Sequence, residues 1–230
     1  MDLYRPLLEK VLFPTFETAR GRPTVPLLQF LRGSEHWSLD ALRELQVGLL
    51  RRLVRHAGHA VHYGALLADR GLVPEDFTTV DDVRLLPLLD RNEARRTLEA
   101  RTASVPGPRA VIEQALDCTI PTPGAQAPLA VRYNAEARHW HDATRLRSYG
   151  WAGYRVGMRT LHYWGEPQGG GWLARQRRAL DRRLKRDLHL DCVVRSEYAL
   201  ADAARQLAEF EPEVIIAYAA GAAALARYIN

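Results

Sequence analysis

The chain has 230 residues, enough to bury the core of one large domain or of a small domain with a compact partner. Its 47% hydrophobic and 26% charged residues exclude a disordered, collagen-like or low-complexity protein. The formal charge of +5 raises the question of a nucleic-acid or phosphate partner, but all 32 basic residues except Lys10 and Lys185 are arginines spread through every segment, so a nucleic-acid partner is not expected.

No run of about 18 uncharged apolar residues occurs, and Arg5, Glu9, Lys10, Pro14 and Glu17 break the early chain. Neither a membrane span nor a secretory signal is expected, and the cytoplasm is the expected location. Cys118 and Cys192 are too few for a disulfide framework or a cysteine-based zinc site, which fits a reducing compartment.

The first third reads as helical. From Ser38, a good N-cap, Leu42, Leu45, Leu49, Leu50, Leu53, Val54 and Ala57 recur at three and four residues and predict one amphipathic helix. Gly64 or Gly71 ends the helical region, Pro74 to Thr79 forms a turn, and Asp81 and Asp82 start a short helix that Pro87 closes before a polar stretch from Asp90 to Arg101. Residues 1–101 are thus predicted to be a helical lead-in. Ser104, Pro106, Gly107 and Pro108 then mark a linker.

Residues 109–230 read as an α/β subdomain. Strands are predicted at Val111 to Thr119 and Leu129 to Tyr133, followed by a helix that Asn134 caps and Gly150 stops. The remainder alternates: strand Arg159 to Trp164, helix Trp172 to Arg186, strand Leu190 to Val194, helix Ala199 to Phe210, strand Val214 to Tyr218, and an alanine-rich helix to the end. This alternation predicts right-handed crossovers onto a mostly parallel sheet, with the helical layer packed against it.

Several segments in fixed order resemble one family. Arg20-Gly21-Arg22, Ser34-Glu35-His36-Trp37-Ser38 and Leu53-Val54-Arg55-His56-Ala57 are similar to the N-terminal lead-in of phenylacetate-CoA ligase-like proteins, including the relatives of capsular polysaccharide biosynthesis type. Similarity continues at Val61-His62-Tyr63, Gly71-Leu72-Val73-Pro74-Glu75-Asp76-Phe77, Leu86-Pro87-Leu88-Leu89-Asp90, Trp151 to Arg159, Phe210 to Val214, and Ala224 to Ile229. The resemblance implies the N-terminal part of an adenylate-forming, AMP-binding enzyme. Such an enzyme activates a small carboxylic acid with ATP and Mg²⁺ to an acyl-adenylate and passes the acyl group to CoA.

In this family a loop of the form T-S-G-[ST]-[ST]-G-x-P lies between two strands and wraps the ATP phosphates, its small residues letting backbone N–H groups converge on anionic oxygens. The corresponding stretch is Thr119 to Pro128, in which Thr119, Thr122 and Gly124 are the candidate nucleotide-binding residues and Pro128 also matches. Ile120 stands for a hydroxyl, Pro121 for a glycine and Pro123 for a second hydroxyl. Each proline removes an N–H donor and fixes φ.

The family residues that hold adenine and magnesium, and its catalytic lysine, have no counterpart here, so no catalytic residue is assigned. The subdomain is incomplete relative to the family, and the chain is expected to be inactive alone, as a truncated product or one piece of a split protein with a complementing C-terminal half. The alternatives are a non-catalytic binding or assembly module, and an anion- or nucleic-acid-binding protein that uses the arginine-rich helix.

Other candidates have plainer readings. His56, His59 and His62 lie three apart and could present imidazoles to zinc, but no local carboxylate or cysteine completes the set, and packing or surface roles are expected. His139 and His141 diverge on a helix, and His139 with Asp142 reads as a solvated face. Arg175, Arg177, Arg178, Arg182, Arg183, Lys185 and Arg186 are expected to form a solvated face over an apolar stripe of Leu173, Leu180 and Leu184, although guanidinium forks also suit phosphate. Gly165 to Gly171 lacks both the dinucleotide and P-loop spacings and reads as a connection. Trp151, Tyr154, Tyr163 and Trp164 are expected to be core or pocket-wall residues.

Overall fold

A computed structural model describes residues 3–101, 116–120, 129–133, 135–165 and 171–230. The chain opens with α1 (Tyr4–Leu7), a π-helical turn (Leu8–Leu12) and α2 (Phe13–Ala19), which Gly21 ends at φ 64°. Next come α3 (Thr24–Ser34) and α4 (Leu39–Ala57). Ser38 caps α4 as the sequence predicts, its Oγ accepting the Ala41 N–H at 3.2 Å.

The helix runs to Ala57 with a break at Gly58, and α5 (Val61–Asp69) continues the helical region until Gly71, one of its two expected ends, turns the chain at φ 63°. A single 3₁₀ turn covers Pro74–Asp76 and a longer one Val80–Leu85. The polar stretch after Asp90 is helical: the Asp90 carboxylate accepts the N–H groups of Asn92 and Glu93 and starts α6 (Arg91–Arg96), followed by α7 (Leu98–Arg101).

Strand β1 (Leu116–Ile120) pairs antiparallel with β2 (Leu129–Tyr133), and α8 (Ala135–Trp151) follows. The last part of the chain alternates β3 (Thr160–Trp164), α9 (Trp172–Lys185), β4 (Asp187–Asp191), α10 (Glu197–Phe210), β5 (Val214–Ala217) and α11 (Ala219–Ile229). These three strands form one parallel sheet in the order β4-β3-β5. The α/β alternation and the parallel sheet agree with the sequence reading, whereas β1 and β2 form their own antiparallel pair outside that sheet. The predicted linker at Ser104 to Pro108 and the first residues of the predicted strand from Val111 lie outside the described residues.

The fourth strand differs from expectation by three residues. The β-branched pair Val193-Val194 suggested a strand from Leu190 to Val194, yet both valines are exposed and follow the strand. Leu188 and Leu190 set the register, because their alternation places both against the buried cluster while Asp187, His189 and Asp191 point the other way.

The chain forms two compact units, one of Met1–Val25 with Arg145–Asn230 and one of Pro26–Thr144. In the first, Leu161, Tyr163, Cys192, Ala203 and Leu225 are buried together on one face of the sheet, with Leu188, Leu190 and Leu207 packed around them. A second cluster in that unit joins Leu8 and Phe13 to Val156. The core of the other unit is Val54, Leu67 and Phe77, with Leu50, Leu72 and Leu86 at its edge. There the Arg51 guanidinium donates to the carbonyl of the fully buried Phe77 at 2.8 Å.

The predicted stripe of α4 is only partly used: Val54 is buried and Leu50 packs, but Leu49 and Leu53 face solvent.

Candidate functional site

Residues 121–128 join two strands whose last and first residues face each other, Ile120 opposite Leu129 and Thr119 opposite Ala130. The residues that flank 121–128, Ile120 and Leu129, are therefore neighbours across an antiparallel pair. Of the three candidate nucleotide-binding residues, Thr119 is the fourth residue of β1, while Thr122 and Gly124 lie outside the described residues.

A second polar site was not singled out by sequence reasoning. On β3 and β4, residues alternate between the apolar cluster and the opposite sheet face. Leu161 and Tyr163 serve the cluster, so Thr160 and His162 take the other face, and β4 contributes Asp187 and His189 there. His162 stands directly across from His189 in the parallel register, and their rings stack with centroids 4.4 Å apart and planes inclined by 13°. Asp187 pairs in register with Thr160, one step diagonal to His162, and its Oδ1 lies 3.6 Å from His162 Nε2. That Oδ1 is buried with no hydrogen-bond partner.

Burial, then the neighbouring His162 and the Arg182 charge, pushes the His189 pKa down to about 4, so this imidazole is neutral near pH 7. Tyr154 is held well above the usual tyrosine range, chiefly by burial and then by the Asp187 charge. The sequence signal was the repeated Leu-His alternation, Thr160-Leu161-His162 and Asp187-Leu188-His189, which becomes a cluster only once the strands pair.

Beside this site an open groove of about 860 Å³ is lined by Arg159, Arg182, Arg183 and Arg186, with Asp187 and Glu213 adding negative charge. The arginine-rich helix has the solvated face that its sequence suggests, with Arg175, Arg177, Arg178 and Arg183 exposed, but its apolar stripe is largely uncovered: Leu173 and Leu180 are exposed and only Leu184 is half-buried. Several of its charges are engaged within the unit. Asp181 accepts from Lys185 at 2.7 Å and from Arg20 at 3.4 Å, and the Arg186 guanidinium lies 4.6 Å from the centre of the Tyr4 ring.

The other candidates do not assemble. His56 and His59 are exposed and His62 is half-buried against Tyr63, and among the described residues these three form no metal-sized cluster. His139 is half-buried and His141 exposed on α8. Gly171 is the N-cap of α9, and residues 166–170 of the glycine-containing connection lie outside the described residues. Tyr163 is buried as expected and Tyr154 packs against the Leu8 cluster. Trp151 and Trp164 are 65% and 52% exposed, Trp151 lying under the Arg147 guanidinium and Trp164 edge-on to Tyr218.

No protein-family model matches this chain, and no curated protein matches it. Among the described residues no helix is long and apolar enough to cross a membrane.

Proposed function

We propose that this chain is a nucleotide-binding N-terminal portion of an adenylate-forming, phenylacetate-CoA ligase-like protein, in which Thr119, Thr122 and Gly124 address the ATP phosphates. The complete enzyme of this reading uses ATP and Mg²⁺ to activate a small carboxylic acid for transfer to CoA. The observation that carries the reading is the antiparallel pairing of β1 with β2, which sets Ile120 opposite Leu129, the residues on either side of segment 121–128. It is followed by a helix and then by a parallel α/β sheet, in keeping with the α/β fold that the sequence resemblance implies.

Backbone N–H groups converging on phosphate supply the binding in such a loop, and Pro121 and Pro123 each remove one. No residue here is assigned to magnesium or to proton transfer. The reading is therefore binding of ATP without turnover by the chain alone.

The test is thermal unfolding of the chain with and without Mg²⁺-ATP, coupled to a pyrophosphate assay with a panel of carboxylic acids. A site filled at about 100 times its Kd adds about 2.7 kcal/mol to stability. The expected result is an ATP-dependent rise in Tm that Thr122→Ala weakens and the pair Pro121→Gly, Pro123→Thr strengthens, with no pyrophosphate released. An unchanged Tm at saturating ATP would instead favour a second reading, a non-catalytic binding module, for which the two prolines speak. Acid-dependent pyrophosphate release would overturn the absence of turnover.

A further inference from the structure

We propose that His162, Asp187 and His189 form a binding site for a single first-row divalent cation, with Zn²⁺ as the reference ion. Each residue offers one ligand atom, and the three atoms all lie within 4.8 Å of one another. A tetrahedral ion with bonds of about 2.0–2.1 Å needs ligand atoms about 3.3 Å apart, so binding must draw the set in and turn the two stacked imidazoles toward the ion. The backbone is already fixed: the ligands sit on two hydrogen-bonded strands, with the two histidines opposite each other in register.

The donor set also selects the ion. Two imidazoles and one carboxylate suit zinc, cobalt or nickel, while calcium and magnesium favour all-oxygen sites. Three protein ligands leave a fourth position for water or an exogenous ligand.

Asp187 supplies the independent observation. Its Oδ1 is buried and accepts no hydrogen bond, an arrangement that is costly for a carboxylate and that a bound cation would relieve. The surroundings oppose this attraction: Arg182 and Arg145 both act electrostatically on His189. Their positive charge weakens cation binding, so neutralising Arg182 should tighten it. A cluster that merely packs would show no such response.

The experiment uses the full chain without an affinity tag, dialysed against EDTA, titrated with Zn²⁺ by calorimetry and with Co²⁺ by visible absorption. One ion per chain is expected. His189→Ala and Asp187→Asn should each weaken binding by at least about a hundredfold, the upper end of what even outer-sphere partners cost. Arg182→Gln should tighten it severalfold. The variant His56→Ala, His59→Ala should bind as the parent does, which separates the site from surface histidines.

Circular dichroism checks each variant, and if His189→Ala does not fold, the near-isosteric Asp187→Asn decides. No uptake by the parent chain at about 1 mM metal, parental affinity in a folded Asp187→Asn, or loss of binding in the His56, His59 variant would each overturn the proposal.

Discussion

Gly221 of α11 lies so close to Cys192 that a Cβ built on it would stand 2.7 Å from the Cys192 Cβ and 3.2 Å from its Sγ. Two effects of Gly221→Ala oppose each other. In an open helix interior the change would stabilise by up to about 1 kcal/mol, but here α11 must move off the buried cluster, and overpacking of this kind costs about 1–3 kcal/mol. Packing wins: Gly221→Ala is expected to lower the urea midpoint, and Cys192→Gly in the same chain to restore part of the loss. A midpoint at or above that of the parent would show that the helix shifts freely.

Phe77 is fully buried at the centre of the Val54–Leu67 cluster in the unit of residues 26–144. Phe77→Ala should cost about 3–5 kcal/mol through lost burial and the cavity left behind. Because the chain divides into two units, hydrogen exchange should report the damage unevenly. Amides of α4 and α5 should lose protection while those of β3, β4 and β5 keep most of theirs. Equal loss in both sets would mean that the units unfold as one.

Glu211 ends α10 in the left-handed region at φ 46°, a conformation that favours glycine, and its ion pair with Arg159 is long, at 3.8 Å, and exposed. Glu211→Gly should therefore stabilise by about 0.5–1 kcal/mol, seen as a higher urea midpoint. Arg186 ends α9 in the same way at φ 60°, but its guanidinium lies over Tyr4, so Arg186→Gly should gain less.

The Asp82 carboxylate accepts the N–H groups of Thr79 and Thr78, each at 2.7 Å, and these bonds hold its pKa below the usual aspartate value. A carboxyl whose folded pKa is depressed adds stability above its unfolded pKa, near 3.8, and loses that contribution as the pH falls through the lower folded value. Asp82→Asn should leave less stability to be lost on acidification below about pH 4, and a carboxyl titration by NMR should place Asp82 below the ordinary aspartate value. An ordinary Asp82 titration would contradict the cap.

What could be read from residue order alone was local. Ser38 and its helix, the strand at Leu129 to Tyr133 and the arginine-rich helix from Trp172 depend on caps and periodicity within a dozen residues, and all three are present. Facing was harder to read. Leu49, Leu53, Leu173 and Leu180 follow the apolar period of their helices, but period alone does not say how much of a stripe a neighbour covers, and these four are exposed.

The His162, Asp187 and His189 cluster was hidden for a different reason. Its members belong to strands separated by the whole of α9, and no spacing rule links them until β3 and β4 align. The β4 boundary moved for the same cause, since pairing with Thr160 outweighed the propensity of Val193 and Val194.

Tyr4 donates its hydroxyl to the Leu184 carbonyl at 2.7 Å across 180 positions of sequence, and Leu8 and Phe13 find Val156. Between these partners runs a segment that forms a unit of its own. On the ribosome this separation becomes a delay. At about 5–20 residues per second, synthesis of residues 26–144 takes roughly 6–24 s, during which α1 and α2 have been made and their partners have not. The intervening unit can close around Phe77 in that interval, while Leu8 and Phe13 stay uncovered until β3 and α9 arrive. Leu8 and Phe13 thus spend an obligatory period of synthesis without the side chains that bury them.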